Sequence, residues 1–271
     1  MTIRRFQKII LDWYKTNRRD LPWRNTKDPY KILISEIMLQ QTQSARVIPK
    51  YKEFLKEFPS LTILARAGNI RLLKIWAGLG YWRRALYVRE TARILRNLVS
   101  KNSETKFPSN PEILETFPGI GHYTARAIAC FAFQNTEAFL DTNIRRVYLH
   151  FFFPKRKNVS DKEILPIAQK AVWKKNPREW HYALFDYGAT VLKDKKINKQ
   201  SKHYKKQSKF EGSFRSFRTK VVKFLLERKG NKATQETLET LLENSPYPAK
   251  KIISSLLKDK LIKKSNQFYT L

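Results

Sequence analysis

The most informative part of the chain is residues 117–125, which read Phe-Pro-Gly-Ile-Gly-His-Tyr-Thr-Ala. Gly119 and Gly121 permit a tight turn whose backbone can come close to another molecule. The apolar spacing that follows predicts a helix over 122–133. The first N–H groups of such a helix attract phosphate. The segment is either a phosphate-binding turn or an ordinary turn between two helices.

Almost every segment up to about residue 192 predicts a helix, because apolar residues recur with a period near 3.6. The predicted helices cover a first segment around Phe6–Tyr14 and then residues 30–41, 44–57, 60–66, 69–78, 81–99, 111–116, 122–133, 142–153, 161–174 and 177–191. Strand-like alternation is almost absent. The sequence therefore predicts a mostly α domain over residues 1–192.

The composition changes at residue 193. Eight lysines lie between Lys193 and Lys209, which indicates a solvated linker over 193–210 or a segment that follows DNA. Residues 211–271 contain three apolar helical stripes and then two short strand-like segments, which predict a small winged-helix-like α+β module. Its basic side chains are expected to contact phosphates unless the module only stabilises the rest; they are Arg215, Arg218, Lys220 and Lys223.

The overall composition bounds the function. The chain has 55 Lys and Arg against 23 Asp and Glu, a net charge of +32, which favours a nucleic acid partner over a generically basic surface. The lone Cys130 lies in an apolar run and is expected to be a buried thiol; it excludes an internal disulfide. No apolar run is long enough to span a membrane, so we expect a cytoplasmic protein.

Two carboxyl groups are candidates for catalysis. Glu36 has apolar neighbours one helical turn away on either side. Burial would raise its pKa and suit it to act as a general acid, although it could instead be a structural partner of an arginine. Asp141 precedes the helix predicted at 142–153, where it would cap the first turn and stay ionised. Paired acids of this kind divide their work at a glycosidic bond.

Several motifs in this order resemble the helix-hairpin-helix DNA glycosylases, and among them the adenine DNA glycosylases of the MutY type. Besides residues 117–125, they are Arg-Asp-Leu-Pro-Trp-Arg at 19–24, Asp-Pro-Tyr-Lys-Ile-Leu-Ile-Ser-Glu-Ile-Met-Leu-Gln-Gln-Thr-Gln at 28–43, Gly-Leu-Gly-Tyr-Trp at 78–82 and Leu-Asp-Thr-Asn at 140–143. The resemblance covers about residues 1–192 and implies a two-lobed, all-α catalytic region that binds double-stranded DNA with a mismatch.

The resemblance also implies residue roles. Glu36 would protonate the adenine and Asp141 would stabilise the cationic sugar, supported by Tyr123 and Asn143. The base pocket would be formed by Arg19, Trp23, Arg24, Leu39 and Gln41. Contacts with the duplex would come from Thr42, Tyr81, Gly119, Gly121, His122 and Thr124, and Gln41 would also probe it. A monovalent cation could bind at the hairpin turn, and a monomer is expected.

The chain departs from the family pattern in two segments and at one residue. The family usually has a four-cysteine iron–sulfur cluster after the catalytic region, where this chain has the lysine-rich residues 193–209, so we expect no cluster. The family's C-terminal domain that inspects oxidised guanine does not match residues 211–271. Thr142 stands where the family usually has glycine.

Other functions stay open on this basis. A thymine or uracil mismatch glycosylase would share Tyr123 and Asp141, whereas Gln40 and Gln41 favour adenine. An endonuclease III-like lyase would carry a lysine in place of Tyr123. A DNA-binding protein without catalytic activity is the third alternative, and the presence of both carboxyl groups disfavours it.

Overall fold

The computed structural model of the protein describes residues 1–101, 107–206 and 208–271. Within these ranges the chain is mostly helical and contains one small antiparallel sheet, as the sequence predicts. It divides into two compact units, which we call unit 1 (Met1–Glu36, Pro108–Thr116 and Ile120–Lys206) and unit 2 (Ile37–Phe107, Phe117–Gly119 and Gln207–Leu271). The boundaries at 192 and 210 mark changes of composition and stay a prediction.

Unit 1 is built from helices around an aromatic core. The Phe6 ring lies 5.1–5.5 Å from the rings of Tyr148, Phe151, Phe152 and Trp180, so the first helix is held by helices from the second half of the unit. The helices are α1 (Ile3–Asn17), the first part of α2 (Pro29–Leu39), α7 (Pro111–Glu115), α8 (His122–Phe133), α9 (Thr142–Phe152), α10 (Asp161–Ala171) and α11 (Pro177–Thr190).

Unit 2 starts with the end of α2 and has a second aromatic core, in which Phe54 packs against Phe58 and Trp76. Its next helices are α3 (Ser44–Glu57), α4 (Leu61–Ala65), α5 (Asn69–Trp76) and α6 (Arg83–Lys101). Helix α6 begins two residues later than the predicted start at 81, because Gly80 and Tyr81 both have positive φ angles, 69° and 48°, and such angles do not continue a right-handed helix.

The C-terminal module, as we call residues 211–271, contains the predicted helices together with a small antiparallel sheet. It contains α12 (Phe214–Glu227), β1 (Lys232–Thr234), α13 (Gln235–Leu241), α14 (Ala249–Lys258), β2 (Lys263–Ser265) and β3 (Phe268–Thr270). The sheet order is β1-β3-β2, with Ala233 opposite Tyr269 and Lys264 opposite Tyr269. The sequence does not predict β1, because three residues are too few to show a period of two.

The lysine-rich segment is more ordered than a solvated linker. Residues Lys195–Gln200 form a 3-10 helix, and the buried Arg146 guanidinium donates a 2.9 Å hydrogen bond to Asn198 Oδ1. Val159 pairs with Ser201 in a short β-bridge. These contacts hold the first part of the segment against the rest of unit 1. Gln207, also within the predicted linker, lies outside the described residues.

Two other expectations concern burial. Cys130 is a free thiol and is fully buried in α8, which confirms the expected core position. Across the parts of the chain that the structure describes, we find no helix with both the length and the apolar character needed to cross a membrane.

Candidate functional site

Glu36 is a buried carboxyl group with few polar partners. It lies in α2, which begins after Asp28 accepts a 2.9 Å hydrogen bond from the Tyr30 backbone N–H, and only 4% of its surface is exposed. The Tyr123 hydroxyl donates to Glu36 Oε2 over 3.3 Å. Burial raises the pKa of Glu36 to about 7, against the smaller lowering effect of that hydrogen bond. The expected rise in pKa is therefore found.

Asp141 caps helix α9 as predicted. Its Oδ1 accepts a 2.7 Å hydrogen bond from the Ile144 backbone N–H, and its Oδ2 accepts one of 3.1 Å from the Asn143 side chain. From its capping role we expected this carboxyl group to stay ionised. Burial instead raises the pKa of Asp141, because the loss of water around the carboxylate outweighs the bonds from Ile144 and Asn143.

The two carboxyl groups influence each other within unit 1. The negative charge of Asp141 further raises the pKa of Glu36, so the pair favours a state that holds one proton near neutral pH. The Tyr123 ring packs against the Phe139 ring, with 5.6 Å between their centres, and its hydroxyl bonds to the Glu36 carboxyl. Its own pKa is raised well above the ordinary value by burial and then by Glu36, so it remains a hydrogen-bond donor.

The turn at 117–121 has the close backbone approach that its glycines predict. Gly119 has a φ of 77°, and a β-carbon there would lie 2.9 Å from Tyr87 Cβ, so any side chain at this position would force a shift. The Gly119 carbonyl accepts a 3.0 Å bond from Gln40, and the Pro118 carbonyl accepts one of 3.1 Å from Thr91. Within unit 2 the turn is thus fixed from two sides.

Gly121 then begins helix α8 without a side-chain cap. The side chain of His122 is 62% exposed, and its Nδ1 lies 3.1 Å from Glu115 Oε1. Thr124 is buried, so a contact from this predicted DNA-binding residue would come from its backbone rather than from its hydroxyl group. A helix start without a capping side chain is suited to a phosphate.

The predicted base-pocket residues fall in both units. Arg19, Trp23 and Arg24 belong to unit 1, whereas Leu39 and Gln41 belong to unit 2. Trp23 and Arg24 are buried, and the Arg24 guanidinium lies 4.4 Å from the centre of the Tyr182 ring. Trp23 and Arg24 therefore belong to the core of unit 1, while Arg19 is partly exposed.

A residue that sequence reasoning missed organises this part of unit 1. The carboxylate of Asp186, which is fully buried, accepts bonds of 2.7 and 2.8 Å from Arg24 and of 2.5 Å from Arg19. Burial alone would raise the pKa of Asp186, but these arginines bring it below the ordinary value. The signal was present, because Asp186 interrupts an apolar helical run in the way that Glu36 does.

Arg84 is the second missed residue, and it organises the predicted duplex-contacting turns of unit 2. Its buried guanidinium donates to the carbonyls of Ile37 and Met38 at 2.9 Å, and it reaches the Thr42 hydroxyl and the Leu79 carbonyl at 3.0 Å. It thereby joins the end of α2 to the turn at 78–81. Gln41 and Tyr81 both adopt positive φ angles beside it, 56° and 48°.

Gly188 is the third missed residue. A β-carbon on Gly188 would lie 2.8 Å from the carbonyl carbon of Asn143, and the Gly188 carbonyl accepts a 2.7 Å bond from Arg146. Helix α11 can therefore lie against the start of α9, next to Asp141. Among the described residues we find no group of three or more His, Cys, Asp or Glu side chains able to hold a metal ion.

The sequence matches one protein family over half of its length. Residues 34–174 match the family described as HhH-GPD superfamily base excision DNA repair protein. This range contains Glu36, the turn at 117–121 and Asp141.

Several curated relatives carry the name adenine DNA glycosylase. The protein of Mycobacterium tuberculosis is 42% identical over 192 residues, which are 67% of this chain and 60% of that protein. The protein of Buchnera aphidicola subsp. Baizongia pistaciae is 38% identical over 196 residues, 70% of this chain and 54% of the relative. The Mus musculus protein is 35% identical over 199 residues, 69% of this chain and 38% of the relative. The chain spans between about a third and three fifths of these relatives' lengths.

Solved structures show the same fold. A thermostable thymine-DNA glycosylase matches with a TM-score of 0.65 and 29% identity, covering 72% of this chain and 89% of that one. A trapped covalent intermediate of endonuclease III with DNA matches with a TM-score of 0.57 and 18% identity, covering 69% and 86%. The second likeness shows the fold alone.

Proposed function

Since the chain belongs to the HhH-GPD superfamily of base excision DNA repair proteins, we propose that it is a monofunctional DNA glycosylase. Its reaction is the hydrolysis of the N-glycosidic bond of mispaired adenine, opposite G or 8-oxoguanine, in double-stranded DNA. The observation that carries this proposal is the buried Glu36 carboxyl, whose pKa of about 7 suits a general acid near neutral pH.

The proposed reaction uses the single proton that Glu36 and Asp141 hold between them near neutral pH. Glu36 donates its proton to the adenine ring, and the electrons of the C–N bond leave with the neutral base. The carboxylate of Asp141, held by Ile144 and Asn143, stabilises the positive charge that develops on the sugar. A water molecule then adds to the sugar, and its proton restores the acid form of Glu36.

Tyr123 supports the monofunctional assignment. A lyase forms a Schiff base through an amine, and the Tyr123 hydroxyl donates a hydrogen bond to Glu36 instead. The product is then an abasic strand that stays intact until alkali is added. Borohydride trapping of a covalent complex with DNA tests this step, and an efficient adduct would contradict it.

Binding to the duplex is supported by the charge and by the hairpin turn. The net charge of +32 supplies non-specific affinity for phosphates, and the uncapped start of α8 adds a local site. In the C-terminal module Arg215 and Arg218 bond to other protein groups, which leaves the exposed Lys220 and Lys223 as phosphate contacts. The target base must leave the stack before Glu36 can reach it.

Adenine is the proposed base because relatives at 38% and 42% identity are named adenine DNA glycosylase. Gln40 and Gln41, near the end of the motif at 28–43, also favour adenine. Thymine mispaired with guanine is the second candidate. The likeness to a thymine-DNA glycosylase structure at 29% identity favours it, as do Tyr123 and Asp141. A cytoplasmic location, a monomeric state and a monovalent cation at the hairpin also remain proposals.

The experiment is a panel of duplexes, each with one target base, analysed for strand cleavage after alkali. Adenine is placed opposite G, 8-oxoguanine, C or T, and thymine opposite G. We expect cleavage at adenine opposite G or 8-oxoguanine. Cleavage only at thymine would establish the second candidate, and binding without cleavage of any duplex would reject a glycosylase.

A further inference from the structure

Tyr81, Trp82 and Arg83 follow the turn that contains Gly78 and Gly80, and each of them is bonded to the C-terminal module. Arg215 donates to the Tyr81 hydroxyl. The Trp82 indole N–H donates to the Thr219 hydroxyl over 3.3 Å. Arg83 pairs with Asp259 at 3.2 Å, and Arg218 pairs with the same carboxylate. The module therefore contacts the residues that join the turn to helix α6.

The module's side of this contact is one face of α12. Arg215, Arg218 and Thr219 are spaced three and four residues apart, so their side chains lie on the same face of the helix. Arg215 is itself fixed by a 3.0 Å bond to the Ser208 carbonyl, and its guanidinium lies 5.4 Å from the centre of the Tyr81 ring. The hydroxyl and the ring of Tyr81 are thus both engaged by one side chain.

Tyr81 also has an uncommon backbone conformation. Its φ is 48°, and the turn before it contains Gly78 at 96° and Gly80 at 69°. A non-glycine residue persists in the left-handed region only where its surroundings hold it there. Arg84 holds the preceding carbonyls of the turn, and Arg215 holds the tyrosine side chain.

The same tyrosine faces a basic cavity of about 840 Å³ within unit 2. Its lining includes Gln41, Arg46 and Tyr81 from the first half of the chain, together with Arg215 and Lys223 from the C-terminal module. A cavity of this charge is suited to a nucleic acid strand. The Arg215 contact sets the direction of the Tyr81 ring at the wall of that cavity.

We propose that Arg215 is a positioning residue that holds Tyr81 in the orientation needed to enter the base stack, so that the C-terminal module is part of the apparatus that opens the duplex. This inference rests on the proposed glycosylase function. It gives the module a role other than phosphate binding. If the module served only stability, the loss of Arg215 would affect folding without an effect specific to mismatched DNA.

The test measures duplex opening without requiring catalysis. The probe is a duplex with 2-aminopurine opposite G, whose fluorescence rises when that base leaves the stack. Arg215→Ala is expected to reduce the rise by about fivefold or more, as the loss of one hydrogen bond to a charged group predicts. Affinity for a fully paired duplex should change by less than about threefold, since many other cations remain.

Two further variants make the result specific. Arg228→Ala is the matched control, because Arg228 lies over the Phe224 ring in the same module, 5.3 Å from its centre, and it should retain the full rise. In a Tyr81→Ala background, Arg215→Ala should add no further loss, because the two residues act through one contact. Independent, multiplying losses would overturn the inference.

The remaining outcomes separate the two proposals. If the wild-type protein gives no rise at all, the proposed function fails and this inference with it. If the wild-type protein responds and Arg215→Ala responds equally, only the inference fails. Should Arg215→Ala not fold, Tyr81→Phe removes the hydroxyl acceptor without touching the module, and an undiminished rise in that variant would overturn the proposal.

Discussion

Glu36 and Asp186 are both buried carboxyl groups on apolar helices of unit 1, and their pKa values move in opposite directions. Glu36 has the Tyr123 hydroxyl as its hydrogen-bond partner, and burial raises its pKa to about 7. Asp186 is buried as completely but accepts bonds from Arg19 and Arg24, which bring its pKa below the ordinary value.

The comparison shows that burial alone does not create an acid. A carboxylate with cationic partners serves as a structural anchor, and one with only a neutral donor can exchange a proton. The arginine-rich sequence could have provided Glu36 with a guanidinium partner. The hydroxyl of Tyr123 occupies that place instead.

The largest effect is expected from Glu36→Gln. The amide cannot donate a proton in the same way, so base release should fall by about 10³-fold, while affinity for the duplex stays within a few-fold. Single-turnover cleavage after alkali measures the rate. Glu227→Gln, at an exposed position, is the matched control, and a wild-type rate in Glu36→Gln would remove this residue from the mechanism.

Asp186→Asn tests the other side of the comparison. The change leaves two guanidinium groups near a neutral amide in a buried site, so the free energy of unfolding should fall by about 3–5 kcal/mol. Urea denaturation measures the loss, with Asp20→Asn at the surface as its control. A loss below about 1 kcal/mol would mean that the arginines do not depend on this carboxylate.

The pH dependence of the free energy of unfolding should reveal the raised pKa of Glu36. Because the pKa of Glu36 is raised from 4.5 to about 7, the folded protein holds a proton that the unfolded chain releases. Its contribution is therefore favourable below pH 4.5 and is lost as the pH rises to 7, a difference of about 3 kcal/mol. Glu36→Gln should remove this slope in urea titrations between pH 5 and 7.5, and parallel curves would show that Glu36 is not protonated in the folded state.

The smallest effect is expected from Arg19→Ala. Arg19 is partly exposed, and Arg24 continues to bond to both oxygens of Asp186. The free energy of unfolding should fall by about 1 kcal/mol, in keeping with a solvent-screened pair. A loss as large as that of Asp186→Asn would show that Arg19, rather than Arg24, anchors the carboxylate.

The sequence predicts the helices and the position of Glu36 because both depend on local periodicity. It also identifies the turn at 117–121 from its two glycines and the cap at Asp141 from its place before α9, since both signals are local. The same apolar pattern surrounds Asp186, but its role depends on arginines more than 160 residues away, which periodicity does not reveal.

Other features lie beyond local patterns for physical reasons. Arg84 gathers carbonyl groups from segments about forty residues apart, and strand β1 is defined by its partner β3 rather than by its own three residues. The rise in the pKa of Asp141 depends on how much water the fold removes from it. The cap that precedes α9 is visible in the sequence, whereas this burial is not.

The contact between Gly188 and Asn143 has a consequence for genetics. One methyl group at position 188 would meet the backbone that begins α9, and Asp141 is the residue that caps this helix. Any substitution of Gly188 would then displace the Asp141 carboxylate, although the two residues are 47 positions apart in the sequence. Under the proposed repair function, a strain carrying such an allele is expected to accumulate mutations as a strain without the gene would.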